Sequence, residues 1–369
     1  MIMGKRTRVL VVDDSAVVRR MIADTLAADP EIEVVGTAAD PYIAREKILE
    51  LNPDVLTLDI EMPRMDGLTF LKILNQHRPM PVIIISSLTQ AGSEIALKAL
   101  EAGAVDVLAK PTSAFNLGEL RDQLAYRVKG AARARLAHNR PTTAAHNIAA
   151  PAVTTHFSPR QLIVIGASTG GTEALKNVLT RLPDGLPGIC IVQHIPPVFS
   201  KAFADRLNEC CALEVREAQH GDDVRPGLAL VAPGDYHMAV RWTGAGYKVI
   251  LERGPMQHHV RPAVDVLFDS AVCAGKSALA ILLTGMGVDG ATGMQKMKAA
   301  GAATIAQNEE TCIVYGMPRA AVELGVVDRV LPLDLIPHGI LRALQDSAPG
   351  AVHTNSQSSE QKNHNLTRS

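Results

Sequence analysis

Ser168, His194 and Asp289 are the residues of this 369-residue chain whose types and settings best suit covalent catalysis. Ser168 is the central residue of Gly166-Ala167-Ser168-Thr169-Gly170, and it follows directly on the apolar run Leu162–Ile165. A helical pattern begins near Thr172. A serine on a tight strand-to-helix turn exposes its hydroxyl beside the backbone N–H groups of a helix start. His194 follows a second apolar run, Ile189–Val192, and Asp289 lies in the glycine-rich segment Thr284–Ala291 after a third, Ala278–Leu283. Ligands of an open parallel sheet sit at the carboxyl ends of its strands. If these runs are strands of one such sheet, His194 can take the Ser168 proton and Asp289 can fix the imidazole tautomer. Each residue also has a plainer reading: His194 as a structural histidine, Asp289 as a helix cap, and the Gly166–Gly171 turn as a cradle for phosphate or a dinucleotide. The serine in place of a middle glycine and the Gln193-His194 strand end count against the cradle. The order Ser, His, Asp is not the Ser, Asp, His of α/β-hydrolases, so a triad here belongs to a different fold.

A second constellation lies in the first third of the chain. Asp13 and Asp14 follow the run Arg8–Val12, and Asp59 follows Val55–Leu58. Ser86 ends the run Val82–Ile85, and Lys110 follows Val105–Leu108. Carboxylates packed together are costly unless a cation neutralises them, and hard oxygen ligands suit Mg²⁺. A hydroxyl and an ammonium at the same sheet edge would face the same crevice.

The elements that must position these groups are legible as alternation. With Glu33–Thr37, the runs above make five strands separated by helical patterns, which describes a doubly wound parallel sheet. Ser15 stands where an N-cap belongs. A second α/β pattern opens at Gln161. Its strand-like runs are Leu162–Ile165, Ile189–Val192, Leu213–Val215, Leu228–Val231, Lys248–Leu251, Ala278–Leu283, Ala303–Ala306 and Val326–Val330. Helical patterns fall at 172–181, 197–208, 262–274, 291–300 and 317–323. The expected fold class is therefore α/β, with two doubly wound parallel-sheet domains. The expected division is a first domain over 1–128, a flexible Ala/Thr/His-rich linker over 129–158, a second domain over 159–346, and a disordered tail over 347–369.

Composition narrows the partners. With 37 basic and 38 acidic residues the net charge is -1, which gives no general field for nucleic acid, and aromatics at 3% supply no base-stacking platform. Five cysteines, two of them adjacent and none in a CxxC pair, fit a reducing compartment better than a disulfide framework. The apolar start of the chain meets Asp13 too early for a signal peptide, and no stretch has the length of a membrane span. The expected setting is cytoplasmic, with no membrane insertion.

The set Asp13, Asp14, DIEMPRMDG (59–67), Ser86 and Lys110-Pro111 resembles the receiver domain of two-component response regulators over residues 7–128. The resemblance implies that Asp59 accepts a phosphoryl group and that Asp14, with Asp13, holds Mg²⁺ in a set with Asp59. It further implies that Ser86 and Lys110 contact the phosphoryl oxygens, and that the Lys110-Pro111 bond is cis. The second half resembles the catalytic domain of the chemotaxis protein-glutamate methylesterase (CheB) family over residues 160–345. The carriers are GASTGGTEAL (166–175), QHIPP (193–197), APGD (232–235), HHVRPAVDVLF (258–268), LTGMGVDGATGM (283–294) and AQNEETCIVYGMPRAA (306–321). This resemblance implies demethylation of glutamyl methyl esters on methyl-accepting chemotaxis receptors, and often deamidation of receptor glutamines. Ser168 would be nucleophile, His194 base and Asp289 its orienting acid, with Thr169 and Met286 supplying the oxyanion hole. No cofactor is expected for the hydrolase, and a chemotaxis histidine kinase is the expected phosphodonor.

Two rivals stand beside this reading: a non-enzymatic response regulator with a DNA- or protein-binding output, and a nucleotide-dependent oxidoreductase. The first lacks a basic recognition helix after Ser158, and the second is opposed by Gln193-His194. Poorer candidates are a metal site among His220, Asp222 and Asp223 or at His258 and His259, and substrate contacts from Arg206, Arg241 or Arg261.

Overall fold

The computed structural model describes residues 5–87, 89–110, 117–135 and 157–346, and of 117–122 the backbone alone. Most of the expected linker, the expected tail and the Lys110-Pro111 bond lie outside the described residues.

The first part is β1 (Thr7–Val12), α1 (Ala16–Ala27), β2 (Ile32–Ala38), α2 (Pro41–Leu51), β3 (Val55–Asp59), α3 (Gly67–His77), β4 (Val82–Ser86), α4 (Gln90–Glu101), β5 (Asp106–Ala109) and α5 (Leu117–Ala131). The five strands form one sheet in the order β2-β1-β3-β4-β5, every pair parallel. Strands covered by helices on both faces carry continuous apolar runs, and Val9–Val12 and Val82–Ile85 are buried throughout. The strand order turns back between β1 and β3, which puts Asp13 and Asp59 at the topological switch point. Asp40 and Asp66 cap α2 and α3 with their carboxylates, and Ser15 caps α1. Helix α5 runs past the expected end of this domain, and the Arg135 amide then donates to the Ile313 carbonyl at 2.8 Å. The expected linker thus opens with structured residues.

The second part is β6 (Leu162–Ala167), α6 (Gly171–Leu179), β7 (Ile189–Gln193), α7 (Phe199–Cys210), β8 (Glu214–Glu217), β9 (Asp223–Val224), β10 (Leu228–Val231), β11 (His237–Trp242), β12 (Tyr247–Glu252), α8 (Val264–Ala271), β13 (Ala278–Leu282), α9 (Ala291–Ala299), β14 (Ala303–Gln307), α10 (Met317–Glu323), β15 (Arg329–Leu331) and α11 (Ile336–Asp346). Seven strands form a parallel sheet in the order β15-β14-β13-β6-β7-β10-β8. Its switch point lies between β6 and β13, so the segments after these two strands share one crevice. Between 217 and 262 the sequence predicts two strands, Leu228–Val231 in the main sheet and Lys248–Leu251. The structure adds an antiparallel sheet, β11-β12-β9, packed on α8 through Met238, Val240 and Val249. Strand β9 has two residues, too few to show a period.

The two parts share a buried contact. Leu97 and Leu100 of α4 belong to the same apolar cluster as Phe203 and Leu207 of α7. Glu101 adds ion pairs to Lys176 at 2.7 Å and to Arg206 at 2.5 Å.

Candidate active site

β6 delivers Ser168, β7 delivers His194, and the segment after β13 delivers Asp289, all to one sheet edge. Parallel registry aligns the three strands: Ala167 pairs with Gln193, and Gly166 with Leu282. The Ser168 Oγ lies 3.0 Å from His194 Nδ1, and His194 Nε2 lies 2.8 Å from Asp289 Oδ2. All three residues are buried, Asp289 completely. The ring nitrogens are used the opposite way round from the familiar serine-protease arrangement, in which Nε2 faces the serine. With Nε2–H directed to the carboxylate, Nδ1 is left with a lone pair toward the serine hydroxyl, so the neutral tautomer suits proton acceptance.

The Asp289 carboxylate also accepts the amides of Val264 at 2.7 Å and Asp265 at 2.9 Å. Burial works against its charge, but the His194 bond and these amides outweigh burial and hold the carboxyl below its ordinary value. Gln193 steadies the nucleophile's turn by donating to the Ser168 carbonyl at 2.9 Å. The sequence gives Gln193 no structural role of its own; its place in QHIPP is the available signal. Gly285 must be glycine, because a Cβ there would come within 2.7 Å of the Ser168 Cβ. That close approach brings Met286 beside the serine. Among the described residues neither the Thr169 nor the Met286 backbone amide donates a hydrogen bond.

Residues of the first part reach into this site. The Tyr126 hydroxyl donates to the Met286 carbonyl at 2.7 Å, and burial pushes that phenol up to about 12, so it keeps its proton. Arg127 donates to the His194 carbonyl at 3.2 Å while paired with Asp106 at 2.6 Å. Thr169, next to the nucleophile, donates its hydroxyl to Asp106 at 3.0 Å. The sequence marks none of Asp106, Tyr126 and Arg127, because nothing local shows α5 or β5 as facing another domain. With these contacts in place Ser168 is 2% exposed.

Comparison with known proteins decides the family. The CheB methylesterase family model matches residues 163–340, and the response regulator receiver domain model matches 9–123. The Syntrophus aciditrophicus protein-glutamate methylesterase/protein-glutamine glutaminase 2 is 53% identical over 91% of this chain and 99% of its own length. The protein-glutamate methylesterase/protein-glutamine glutaminase of Bdellovibrio bacteriovorus is 50% identical over 93% of this chain and 99% of its own. The chain belongs to the CheB family of protein-glutamate methylesterases/protein-glutamine glutaminases. The methylesterase therefore pairs a response-regulator receiver with a hydrolase domain, as the motifs implied. Among the described residues no helix is long and apolar enough to cross a membrane.

In the receiver of the methylesterase, Asp13, Asp14 and Asp59 bring one carboxylate oxygen each to within 4.8 Å of one another. Lys110 Nζ lies 2.6 Å from Asp59 and 3.6 Å from Asp13. Burial pushes Asp59 up to about 6 and raises Asp13 as well. Burial works against the Lys110 charge, yet its bond to Asp59 outweighs it and holds the ammonium above its ordinary value. Asp13 Oδ2 is buried with no hydrogen-bond donor. That oxygen faces the Lys110 ammonium at 3.6 Å, too far for a hydrogen bond, and its place in a set of three carboxylates fits a hard divalent cation such as Mg²⁺. The Ser86 hydroxyl donates to the Gly92 carbonyl of α4 at 3.2 Å.

The poorer candidates fall elsewhere. His220 accepts the Leu251 amide, Asp222 pairs with Arg216, and Asp223 pairs with Lys248. Arg206 is held by Glu101, Arg261 by Asp235 and the Gly254 carbonyl, and Arg241 is exposed on β11. His258 meets Asp265, whereas His259 takes no part in that pair.

Proposed function

We propose that this methylesterase removes methyl groups from glutamyl methyl esters of methyl-accepting chemotaxis receptors, and deamidates receptor glutamines, under control of phosphorylation at Asp59. The observation that carries the chemistry is the buried chain from Ser168 Oγ through His194 to Asp289, at 3.0 and 2.8 Å. Ser168 attacks the ester carbonyl as its proton passes to His194 Nδ1. The imidazolium is stabilised by Asp289, and the Thr169 and Met286 amides hold the oxyanion. The ester C–O bond breaks, the methoxy oxygen takes the Nδ1 proton, and methanol leaves. A water then attacks the glutamyl-enzyme with His194 again as base, freeing the carboxylate and regenerating Ser168. An amide follows the same path and releases ammonia.

The regulatory half rests on occlusion. A receptor helix cannot reach a serine that is 2% exposed. Asp13, Asp14 and Asp59 are the residues that would hold Mg²⁺, which supplies charge neutralisation for phosphoryl transfer. Asp59 would take the phosphoryl group from a chemotaxis histidine kinase. Its neighbours lead to the contact surface: Lys110 follows β5, which carries Asp106, and Ser86 is bonded to α4, which carries Glu101. New charge at Asp59 that draws Ser86 and Lys110 toward it would therefore disturb both elements that touch the hydrolase. Methanol release from a methylated receptor preparation, with and without a small phosphodonor and Mg²⁺, tests both halves. No release under either condition refutes the activity, and equal release under both refutes the control.

A further inference from the structure

Helices α8 and α9 are among those of the hydrolase domain whose N-cap residues make no side-chain cap. Helix α8 begins after Ala263 and α9 after Gly290, and neither residue has a side chain that can accept from the first-turn amides. The structure supplies the acceptors crosswise. Asp289, which precedes α9, accepts the Val264 and Asp265 amides at the start of α8. Asp265, in the first turn of α8, accepts the Gly293 amide in the first turn of α9 at 2.7 Å. Each helix is thus capped by a carboxylate belonging to the other, and one of the two carboxylates is the acid that orients His194.

Asp265 is itself held from outside. Its Oδ2 lies 3.0 Å from His258 Nε2. His258 and His259 are the central residues of a tight turn closed by reciprocal Gln257 and Val260 backbone hydrogen bonds, and both have positive φ, at 52° and 64°. Such a turn favours Asn-Gly, and non-glycine residues with left-handed backbone cost on the order of 1 kcal/mol each. A strained pair persists where its surroundings over-determine it, and the bond to Asp265 is such a surrounding. Asp265 is nearly as buried as the triad, at 6% exposure.

We propose that Asp265, oriented by His258, is a positioning residue for the triad: it braces the head of α9 against the head of α8 and so fixes where the Asp289 carboxylate meets His194. The proposal rests on the reading of Ser168, His194 and Asp289 as the catalytic set. Asp265 touches none of the reacting atoms, so its effect falls on turnover and not on substrate affinity. Misplacing a catalytic group by about 1 Å costs up to about a hundredfold.

The test uses the full chain activated by phosphodonor, with methanol release from a methylated receptor preparation as assay and the folded fraction measured by circular dichroism. Asp265→Ala removes the brace and should lower kcat about tenfold to a hundredfold, with KM within about twofold. Asp265→Asn keeps an acceptor for the Gly293 amide and should restore kcat to within about threefold of wild type. His258→Gly suits the positive φ of the turn, so the protein keeps its fold, and kcat should fall severalfold as Asp265 loses its anchor. Unchanged kcat in Asp265→Ala or His258→Gly overturns the proposal, as does an Asp265→Asn variant as slow as Asp265→Ala. If the unsubstituted protein releases no methanol, or Ser168→Ala releases it normally, the catalytic assignment falls instead.

Discussion

Tyr126→Phe is the sharpest probe of the occluded state, because it deletes one hydroxyl and leaves the fold of each domain alone. That hydroxyl donates to the Met286 carbonyl at 2.7 Å across the two parts of the chain. In the separated state both groups are hydrated. In the closed state of the variant, the half-buried Met286 carbonyl loses its donor. Net loss of a hydrogen bond costs about 0.5–1.5 kcal/mol, and an unsatisfied buried acceptor raises this to about 1–3 kcal/mol. Taking about 1–2 kcal/mol, the closed–open equilibrium shifts by about five- to thirtyfold toward open. If the open form is the active one and is rare, basal methanol release without phosphodonor should rise by that factor. It cannot exceed the rate of the phosphorylated wild type, and the rate with phosphodonor should stay the same. The hydrolase residues are untouched, so a change in the fully activated rate would mean the substitution had disturbed the site itself. The reasoning is refuted if basal release does not rise in Tyr126→Phe yet does rise when residues 1–128 are deleted. Covering would then be real, but held by other contacts, such as Glu101 with Arg206 and Lys176.

Three further outcomes follow from the same geometry. Ser168→Ala and His194→Ala should each lower turnover by about 10⁴–10⁶ in a folded protein, since removing either member disables the set; ordinary methanol release from either variant contradicts the triad. Asp289→Asn should slow turnover by about 10⁴ and also lower the melting temperature, because three N–H groups converge on that side chain and an amide offers one acceptor oxygen; normal turnover would leave Asp289 as a helix cap. Asp59→Asn should keep basal hydrolysis and lose the response to phosphodonor, and millimolar Mg²⁺ should raise the melting temperature of the wild-type protein more than that of the variant; equal Mg²⁺ shifts in calorimetry would remove Asp59 from the cation set.

The strand-end residues were legible from the sequence because a parallel sheet delivers all its carboxyl ends to one edge. An apolar run followed by Ser168, another by His194 and a third by Asp289 already implied convergence, although 95 residues separate His194 from Asp289. The same rule placed Asp13, Asp14, Asp59, Ser86 and Lys110 in one crevice. Strands β9 and β11 escaped notice for a local reason: β9 is two residues long, and the alternating burial of β11 belongs to an antiparallel hairpin beside a chain otherwise read as α/β.

What the sequence determined by itself was the chemical inventory and the edge on which it lies. That information is carried by periodicity of 2 and 3.6 residues and by the residues that end each run. Tertiary structure alone decided the rest. Which imidazole nitrogen faces Ser168 depends on the ring's orientation between Asp289 and the serine, and no spacing encodes it. The exchange of caps between α8 and α9 depends on two helix starts meeting head to head. The contacts of Tyr126, Arg127 and Asp106 with Met286, His194 and Thr169 arise from one domain docking on another. Contacts of that kind are fixed by the shape and charge of two assembled surfaces, which exist only once both sheets have folded.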